Sequence, residues 1–294
     1  MVEIVRRAPR WASIMPAPLP PVTIHAALAG RSKMRQTTIW YNYIVQQAYL
    51  PGGSILEQTE NNAGMAACTL VIPAYNEEER IQMLLSDITG SGTTYLFICD
   101  GNDKTAEIIR DFGNANPGMQ INCLEYPGRL GKGKAIREGL EKAATPFAGY
   151  MDADGSTSLK EMNSLLKGLD GADGVIGSRY VPGSMVTTQQ GIFRRLESRT
   201  FNLLIRLLFC LPYYDTQCGA KIFKNKPLQT VLPGITSTGF ELDVELIWRM
   251  RQSGFVVTEL PIIWQNRGDS RVKGQDAFSM LINLVKLRFG RDRT

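Results

Sequence analysis

Two aspartates separated by one residue, Asp152 and Asp154, are the strongest candidates for chemistry in this sequence. They directly follow a short apolar run at 147–151 that has the composition of a buried strand. Because side chains two residues apart on an extended chain point to the same side, both carboxylates can face one ligand. Paired carboxylates bind Mg²⁺ or Mn²⁺, which can in turn hold a diphosphate. The pair therefore predicts a cation-assisted site.

A second motif, Gly131-Lys132-Gly133-Lys134, opens a predicted helix and brings two cations to its N-terminus. Helix N-termini attract phosphate, so Lys132 and Lys134 are candidate phosphate ligands. The motif is not a dinucleotide fingerprint, because Ile136 stands at the third glycine position, and it lacks the spacing of a P-loop. A lysine-rich turn without a ligand is the alternative.

Arginines elsewhere are further candidates for binding phosphate. Arg179 follows the predicted strand at 174–176, and a basic loop before the last predicted helix contains Arg267, Arg271 and Lys273. Arginine can clamp phosphate through paired donors. Isolated surface arginines without a ligand are the alternative.

The sequence argues against several other kinds of site. Its one histidine, His25, lies in the irregular N-terminal stretch, so the rest of the chain lacks a histidine to activate a nucleophile or bind a metal. The five cysteines include no C-x-x-C pair and are odd in number, which argues against a zinc knuckle and a disulfide framework. A reducing compartment fits this composition best.

Charge is distributed unevenly. Residues 1–64 carry 6 basic and 3 acidic side chains, residues 65–178 carry 10 and 16, and residues 179–294 carry 17 and 9. An acidic middle segment suits a cation-assisted site, and a basic last segment suits phosphate, a lipid headgroup or nucleic acid. An unevenly charged solvated surface is the alternative. Nucleic acid is the least favoured partner, because the basic residues accompany aliphatic stripes rather than stacking aromatic side chains.

The elements that must position these residues alternate along the middle of the chain. Apolar runs typical of strands lie at 69–73, 95–99, 120–124, 147–151 and 174–176, and segments of helical period lie at 76–89, 103–112, 131–144 and 158–169. This alternation predicts a mostly parallel sheet with helices on both faces. Ligands bind at the carboxyl ends of such strands, where the segments 73–77, 100–103, 152–156 and 177–179 are expected to converge. Asn76 with Glu79, and Ser158 with Glu161, have the spacing of capping boxes.

Two later segments are predicted to be basic amphipathic helices, at 190–212 and 274–294. In the first, Arg195 and Arg199 lie on a stripe beside an apolar face. A core helix with solvated arginines is the alternative, but two such segments favour helices that lie in a membrane surface. No apolar stretch reaches the roughly 20 residues that span a bilayer. Residues 1–66 lack a sustained period and are expected to be a mostly disordered extension.

A series of motifs in this order resembles the family 2 glycosyltransferases of GT-A fold. It comprises Val71-Ile72-Pro73-Ala74-Tyr75-Asn76-Glu77-Glu78, Asp100-Gly101-Asn102-Asp103, Gly131-Lys132-Gly133, Asp152-Ala153-Asp154-Gly155 and Gly177-Ser178-Arg179. Later motifs resemble the dolichyl-phosphate glucose and mannose synthases: Arg194-Arg195-x-x-Ser198-Arg199-x-x-Asn202, Asp215-Thr216-Gln217-Cys218-Gly219-Ala220-Lys221, Asp243-Val244-Glu245, and Trp264 with Ser270-Arg271. The resemblance implies a GT-A domain at 67–273.

The resemblance also implies roles for individual residues. Pro73, Tyr75, Glu77 and Asp100 would bind the base and ribose of the nucleotide sugar, and Asp152 and Asp154, with Ser156, the diphosphate and Mg²⁺ or Mn²⁺. Arg179, Arg267 and Arg271 would meet donor or acceptor phosphates, and Lys132 and Lys134, the candidates at the helix start, would join the nucleotide-sugar site. Asp152, Asp154 and Arg179 would be the catalytic residues. The lipid phosphate would meet Arg195, Ser198 and Arg199. Cys99 stands where a first aspartate is common, in a loop one residue shorter, which leaves base selectivity open, and Ser156 replaces a glutamine of some mannose synthases.

The function implied is inverting transfer of glucose or mannose from UDP-glucose or GDP-mannose to dolichyl or polyprenyl phosphate, at the cytoplasmic face of a membrane. A family 2 transferase that extends a glycan or another soluble acceptor is the alternative enzyme. It would need the metal and nucleotide residues but not the stripe of Arg195, Ser198 and Arg199. A membrane-surface nucleotide-binding module without turnover is the non-enzymatic alternative.

Overall fold

The computed structural model describes residues 68–88, 92–187, 192–265 and 274–290, with the helical backbone alone at 192–197 and 274–278. These residues belong to a single unit, Leu50–Thr294. The predicted extension at 1–66 lies outside the described residues, as do Arg267, Arg271 and the side chain of Arg195.

Strands and helices alternate through the first part of this region. In chain order they are β1 (Cys68–Ala74), α1 (Ile81–Asp87), β2 (Thr94–Cys99), α2 (Thr105–Ala115), β3 (Gln120–Glu125), α3 (Lys132–Glu141), β4 (Phe147–Met151), α4 (Leu159–Lys167) and β5 (Gly174–Ser178). The second part contains β6 (Met185–Val186), α5 (Ile192–Phe209), β7 (Ala220–Lys224), α6 (Asn225–Val231), a 3₁₀ turn (Leu232–Gly234), α7 (Leu242–Gln252), β8 (Val257–Pro261), β9 (Ile263–Trp264) and α8 (Gly274–Phe289).

Seven strands form one sheet in the order β3-β2-β1-β4-β7-β5-β8, and β6 and β9 form a separate parallel pair. Strand β7 runs antiparallel to both of its neighbours, whereas the other pairs in the large sheet are parallel. Buried side chains of α1, α2 and α4 pack on one face, and those of α3 and α5 to α8 pack on the other. The predicted mostly parallel sheet with helices on both faces is confirmed. No helix among the described residues has the length and apolar character that a membrane crossing requires.

The two predicted helix starts have different outcomes. Ser158 caps α4, because its side chain accepts a hydrogen bond from the N–H of Glu161. The start predicted at Asn76 is wrong, since α1 begins at Ile81. Asn76 has a φ of 52°, unlike the extended backbone of a capping residue. Its Oδ1 instead accepts a hydrogen bond of 3.0 Å from the N–H of Asn102, which joins the loops after β1 and β2.

A buried ion pair joins the antiparallel strand to helix α7. Lys221 of β7 is fully buried, and its Nζ donates to Asp243 of α7 and, at 2.5 Å, to the carbonyl oxygen of Cys218. Tyr150 of β4 donates to Asp243 at 2.5 Å. Burial, and next the charge of Asp243, raise the pKa of Tyr150 well above its ordinary value, so this hydroxyl remains a donor. Strands β4 and β7 and helix α7 therefore meet at a single carboxylate.

We expect Lys221→Met to lower the free energy of unfolding by about 3–5 kcal/mol, because it leaves Asp243 buried without its cationic partner. Combining Lys221→Met with Asp243→Leu should recover most of this loss, since two apolar side chains can replace a buried ion pair. Urea unfolding followed by circular dichroism measures both values.

Lys224→Met is the matched control on the same strand. Lys224 lies 3.7 Å from Asp173, and its side chain is 40% exposed. Removing this charge should change the free energy of unfolding by less than about 1 kcal/mol. If Lys221→Met proves as stable as Lys224→Met, the buried pair does not hold β7 to α7.

Candidate active site

Asp152, which follows β4, forms an ion pair with Lys132, which opens α3, at the carboxyl edge of the sheet. Lys132 Nζ lies 2.6 Å from Asp152 Oδ1, and the two side chains are 21% and 33% exposed. The structure thus brings together residues from two motifs that the sequence analysis treated separately. A lysine and an aspartate from different elements meet where an incoming anion or cation can reach both.

The other side of Asp152 is bounded by main chain. Gly219 lies so close to the Asp152 carboxylate that a Cβ at position 219 would overlap Oδ2. The buried Lys221 holds this segment in place through its hydrogen bond to the Cys218 carbonyl. Gly219, Lys221 and Asp243 were quoted only as family motifs, and their part in supporting Asp152 was not predicted.

The two glycines around Lys132 serve packing at the start of α3. A Cβ on Gly133 would lie 2.7 Å from the carbonyl carbon of Thr238, and the N–H of Lys134 donates to the Thr238 oxygen at 3.0 Å. This part of the helix start is therefore covered by protein backbone. Lys132 lies beside the ring of Phe240, with its Nζ 5.7 Å from the ring centre.

Helix α7 fixes the loop that packs against α3. Glu245 is fully buried and accepts hydrogen bonds from the N–H groups of Thr236 at 3.1 Å and Ser237 at 2.8 Å. Its Oε1 also accepts from Arg249 Nε at 2.7 Å. The motif Asp243-Val244-Glu245 thus has two anchors: Asp243 binds Lys221 of the sheet, and Glu245 binds the loop that covers Gly133.

The electrostatic environment keeps Lys132 protonated. Burial alone would lower its pKa, but attraction to Asp152, then to Asp243 and Asp154, outweighs this and raises the pKa of Lys132. Burial raises the pKa of Asp152, an effect that Lys132 opposes and Asp154 reinforces. The three carboxylates therefore share one region of negative potential, and Lys132 is the cation that Asp152 binds directly.

Asp154 and Ser156 complete the acidic side of the site. The N–H of Ser156 donates to Asp154 Oδ1 at 2.9 Å, and Ser156 Oγ is buried without a hydrogen-bond partner. Within the described part of the chain, no three His, Cys, Asp or Glu side chains cluster as a complete metal site. Two carboxylates and an unpaired hydroxyl fit Mg²⁺ or Mn²⁺ when substrate phosphates supply further oxygens, as is usual for Mg²⁺.

Two of the predicted base and ribose ligands lie at the end of β1. Pro73 of β1 pairs with Ile98 of β2. The pairing of β1 with β4 ends at Val71, before Pro73. Because proline has no N–H, this position suits it: no hydrogen bond to β4 is lost. Tyr75 lies under the guanidinium of Arg129, whose Cζ is 4.4 Å from the ring centre. This stack joins the loop after β1 to the loop before α3, and Arg129 was not predicted.

The other two predicted ligands, Glu77 and Asp100, already bind protein groups. Glu77 accepts two hydrogen bonds from Arg80, at 2.8 and 2.9 Å. Asp100 Oδ2 accepts from the N–H groups of Leu130 at 2.8 Å and Gly131 at 3.2 Å. Asp100 therefore ties the end of β2 to the residue before Lys132.

Arg179, at the end of β5, is held by a buried carboxylate. Its Nε and Nη2 donate to the two oxygens of Asp215 at 2.7 and 2.9 Å, and Asp215 is fully buried. Burial opposes the charge, but attraction to Asp215 outweighs it and raises the pKa of Arg179. The guanidinium also lies 5.4 Å from the ring centres of Tyr180 and Trp264. Asp215 thus fixes the orientation of this arginine.

The predicted acceptor residues on α5 meet the end of β5 through Tyr180. Ser198 Oγ lies 2.8 Å from Tyr180 Oη, and the Arg199 guanidinium lies 5.8 Å from the Tyr180 ring centre. Tyr180 gave no signal in the sequence, because an aromatic residue after a strand fits equally well in a core. It brings Ser198 and Arg199 next to Arg179.

Comparisons with known proteins identify the family. The model of glycosyl transferase family 2 matches residues 69–232. A dolichyl-phosphate beta-glucosyltransferase of Trichomonas vaginalis is 27% identical over 264 residues, covering 84% of this chain and 78% of the relative. The polyprenol monophosphomannose synthase of Mycolicibacterium smegmatis is 31% identical over 220 residues, covering 70% of this chain and 81% of the relative.

The fold is also found in solved structures. Glucosyl-3-phosphoglycerate synthase from Mycobacterium tuberculosis, crystallised with Mn²⁺, UDP and glucosyl-3-phosphoglycerate, has a TM-score of 0.58 at 17% identity, over 82% of this chain and 85% of that chain. At this identity the likeness supports the fold alone. Because the family model covers more than half of the chain, the predicted resemblance is confirmed: the chain belongs to glycosyl transferase family 2 and is a glycosyltransferase with the GT-A fold.

Proposed function

We propose that this enzyme transfers a hexose, glucose or mannose, from UDP-glucose or GDP-mannose to dolichyl or polyprenyl phosphate. The observation that carries the proposal is the contact of Tyr180 with Ser198, which puts a helix bearing basic and exposed apolar residues beside the donor side of the site. The names of the two relatives agree with it, since one is named a dolichyl-phosphate beta-glucosyltransferase and the other a polyprenol monophosphomannose synthase.

The acceptor chemistry explains why no histidine is needed among the described residues of the site. A lipid phosphate oxygen is already anionic, so it can attack the anomeric carbon without a strong general base. The new bond joins this oxygen to the anomeric carbon, and the bond from that carbon to the nucleotide diphosphate breaks. A single displacement, with attack on the face of the anomeric carbon opposite the leaving group, converts an α-linked donor into a β-linked product. Arg199 and Ser198 are proposed to hold the attacking phosphate in line.

The departing nucleotide diphosphate needs compensation for its negative charge. Lys132 is the proposed protein group for this task, because it is protonated, opens a helix and lies at the carboxyl edge of the sheet. Asp152 and Asp154, with Ser156, would hold Mg²⁺ or Mn²⁺. This ion would stabilise the same charge as a Lewis acid.

The outer surface of α5 and α8 supports a location at a membrane surface, which we propose to be the cytoplasmic one. Helix α5 buries Ile205 and Phe209 but leaves Leu203, Leu204 and Leu207 exposed at 52%, 43% and 69%. Arg288 Nε of α8 donates to the Leu208 oxygen at 3.0 Å, which joins the two helices. Helix α8 adds exposed Ile282, Val285 and Phe289. Apolar faces next to arginines suit an interfacial position, with the basic groups at lipid phosphates.

The direct test is incubation of the protein with labelled UDP-glucose or GDP-mannose and polyprenyl phosphate. We expect label to enter the organic phase, EDTA to abolish its entry, and Asp154→Ala to lower the rate at least about 100-fold, because the charge of the leaving group loses its counter-ion. Asp170→Ala, which removes an exposed aspartate after α4, is the control and should retain the activity. Label found only in a water-soluble glycan would reject the lipid acceptor, and full activity in EDTA would reject the cation.

A second test separates acceptor from donor. We expect Arg199→Ala to raise the KM for polyprenyl phosphate about tenfold or more, because hydrogen bonds to charged groups contribute about 1.5–3 kcal/mol, while the KM for the nucleotide sugar stays unchanged. Steady-state kinetics with each substrate varied in turn gives both constants. Lys167→Ala, which removes an exposed cation on the opposite face of the sheet, is the control for net charge. A rise confined to the KM for the nucleotide sugar would assign Arg199 to the donor instead, and an equal rise in both constants would refute a role specific to the acceptor.

A further inference from the structure

Lys132 already supplies Asp152 with a positive charge. Its Nζ is 2.6 Å from Oδ1, the distance of a short charge-assisted hydrogen bond. The Oδ2 side of the carboxylate lies against Gly219, where a Cβ would overlap it. Asp152 is therefore held between an ammonium group and the main chain. A divalent cation that binds Oδ1 would compete with Lys132 for this oxygen.

The neighbouring charges show which pair an incoming ion can open. Asp243 and Lys221 are bonded to each other and are almost completely buried. Lys132 and Asp152 keep 21% and 33% of their side chains exposed. The buried Lys221–Asp243 pair therefore stays intact and contributes a fixed electrostatic potential. The partly exposed Lys132–Asp152 pair is the one that an incoming ion can separate.

We propose that Lys132 exchanges partners when the donor binds. In the structure it is the counter-ion of Asp152, and it would move to the donor diphosphate when Mg²⁺ or Mn²⁺ takes its place on Asp152. This inference rests on the proposed function, because it requires Asp152 and Asp154 to be the cation ligands. Lys132 is thus the counter-ion of Asp152 before the metal binds and a ligand of the leaving group afterwards.

The exchange makes metal and nucleotide bind cooperatively. One lysine and two aspartates carry a single net negative charge, and a divalent cation alone would turn this into a net positive charge. Like charges a few ångströms apart repel, so the metal without a diphosphate binds weakly. A diphosphate draws Lys132 away from Asp152 and removes that repulsion. The coupling is reciprocal, so the metal tightens nucleotide binding by the same factor.

The test measures Mn²⁺ binding to the full chain, from the paramagnetic resonance signal of free Mn²⁺, with and without a saturating nucleoside diphosphate, either UDP or GDP. In the wild-type protein we expect the nucleotide of the donor to raise the Mn²⁺ affinity about tenfold or more. Without nucleotide, Lys132→Met should bind Mn²⁺ about tenfold more tightly than the wild type. The nucleotide should raise its Mn²⁺ affinity by a smaller factor than it raises that of the wild type. Lys132→Arg keeps the charge and should bind Mn²⁺ alone as weakly as the wild type.

Two further variants complete the design. Lys142→Met removes an exposed lysine at the C-terminal end of the same helix and should leave both Mn²⁺ titrations unchanged. Lys132→Gln provides the same test with a polar side chain if methionine lowers the thermal stability.

The outcomes distinguish this inference from the proposed function. The exchange is overturned, while the cation site stands, if neutral variants at position 132 bind Mn²⁺ alone no more tightly than the wild type. It is also overturned if the nucleotide raises their Mn²⁺ affinity by the same factor as in the wild type. If wild-type protein binds no Mn²⁺ with either UDP or GDP, or if Asp154→Ala binds it equally well, the cation site itself is refuted.

Discussion

The buried ion pair between Lys221 and Asp243 is the contact on which the site depends. Lys221 holds the Cys218 carbonyl, so it fixes the segment whose next residue, Gly219, bounds the Asp152 carboxylate. Asp243 lies two residues before Glu245, which fixes the loop that packs against the start of α3. One helix, α7, therefore supports both sides of the Lys132–Asp152 pair. Lys221 thus holds the segment beside Asp152, and the helix that carries Asp243 also carries Glu245, which holds the loop beside Gly133.

The sequence predicted most of the fold through its first half, where apolar runs and helical periods alternate without interruption. It did not predict β7, because lysines at the second and last positions of this five-residue strand, Lys221 and Lys224, shorten the apolar run that marks a buried strand. Only the tertiary partner, Asp243, makes Lys221 acceptable there. The error at Asn76 has a related cause: the spacing to Glu79 is a local signal, whereas the side chain is used by Asn102 of another loop. Local patterns predict elements well when no distant residue competes for the same groups.

The sequence predicted which edge of the sheet carries the candidate residues, but it did not predict the contacts between them. The carboxyl ends of parallel strands meet at one edge, so Asp152, Asp100 and Arg179 could be assigned to the same region. Their protein partners could not, because Asp215 and Tyr180 come from segments whose place in the sheet was unknown. The structure adds that several of these side chains bind one another, and the exchange proposed for Lys132 follows from such a contact.

The reversed direction of β7 determines which part of the chain reaches the substrates. A parallel strand in its position would begin at the far edge of the sheet, about 17 Å away for five residues. Because β7 runs the other way, its first residues arrive at the edge where β4 and β5 end. A residue from a late stretch of the polypeptide, Gly219, thereby lies against Asp152 of the early half. The segment between α5 and β7 can therefore change beside the candidate site without altering the strands that precede Asp100 and Asp152.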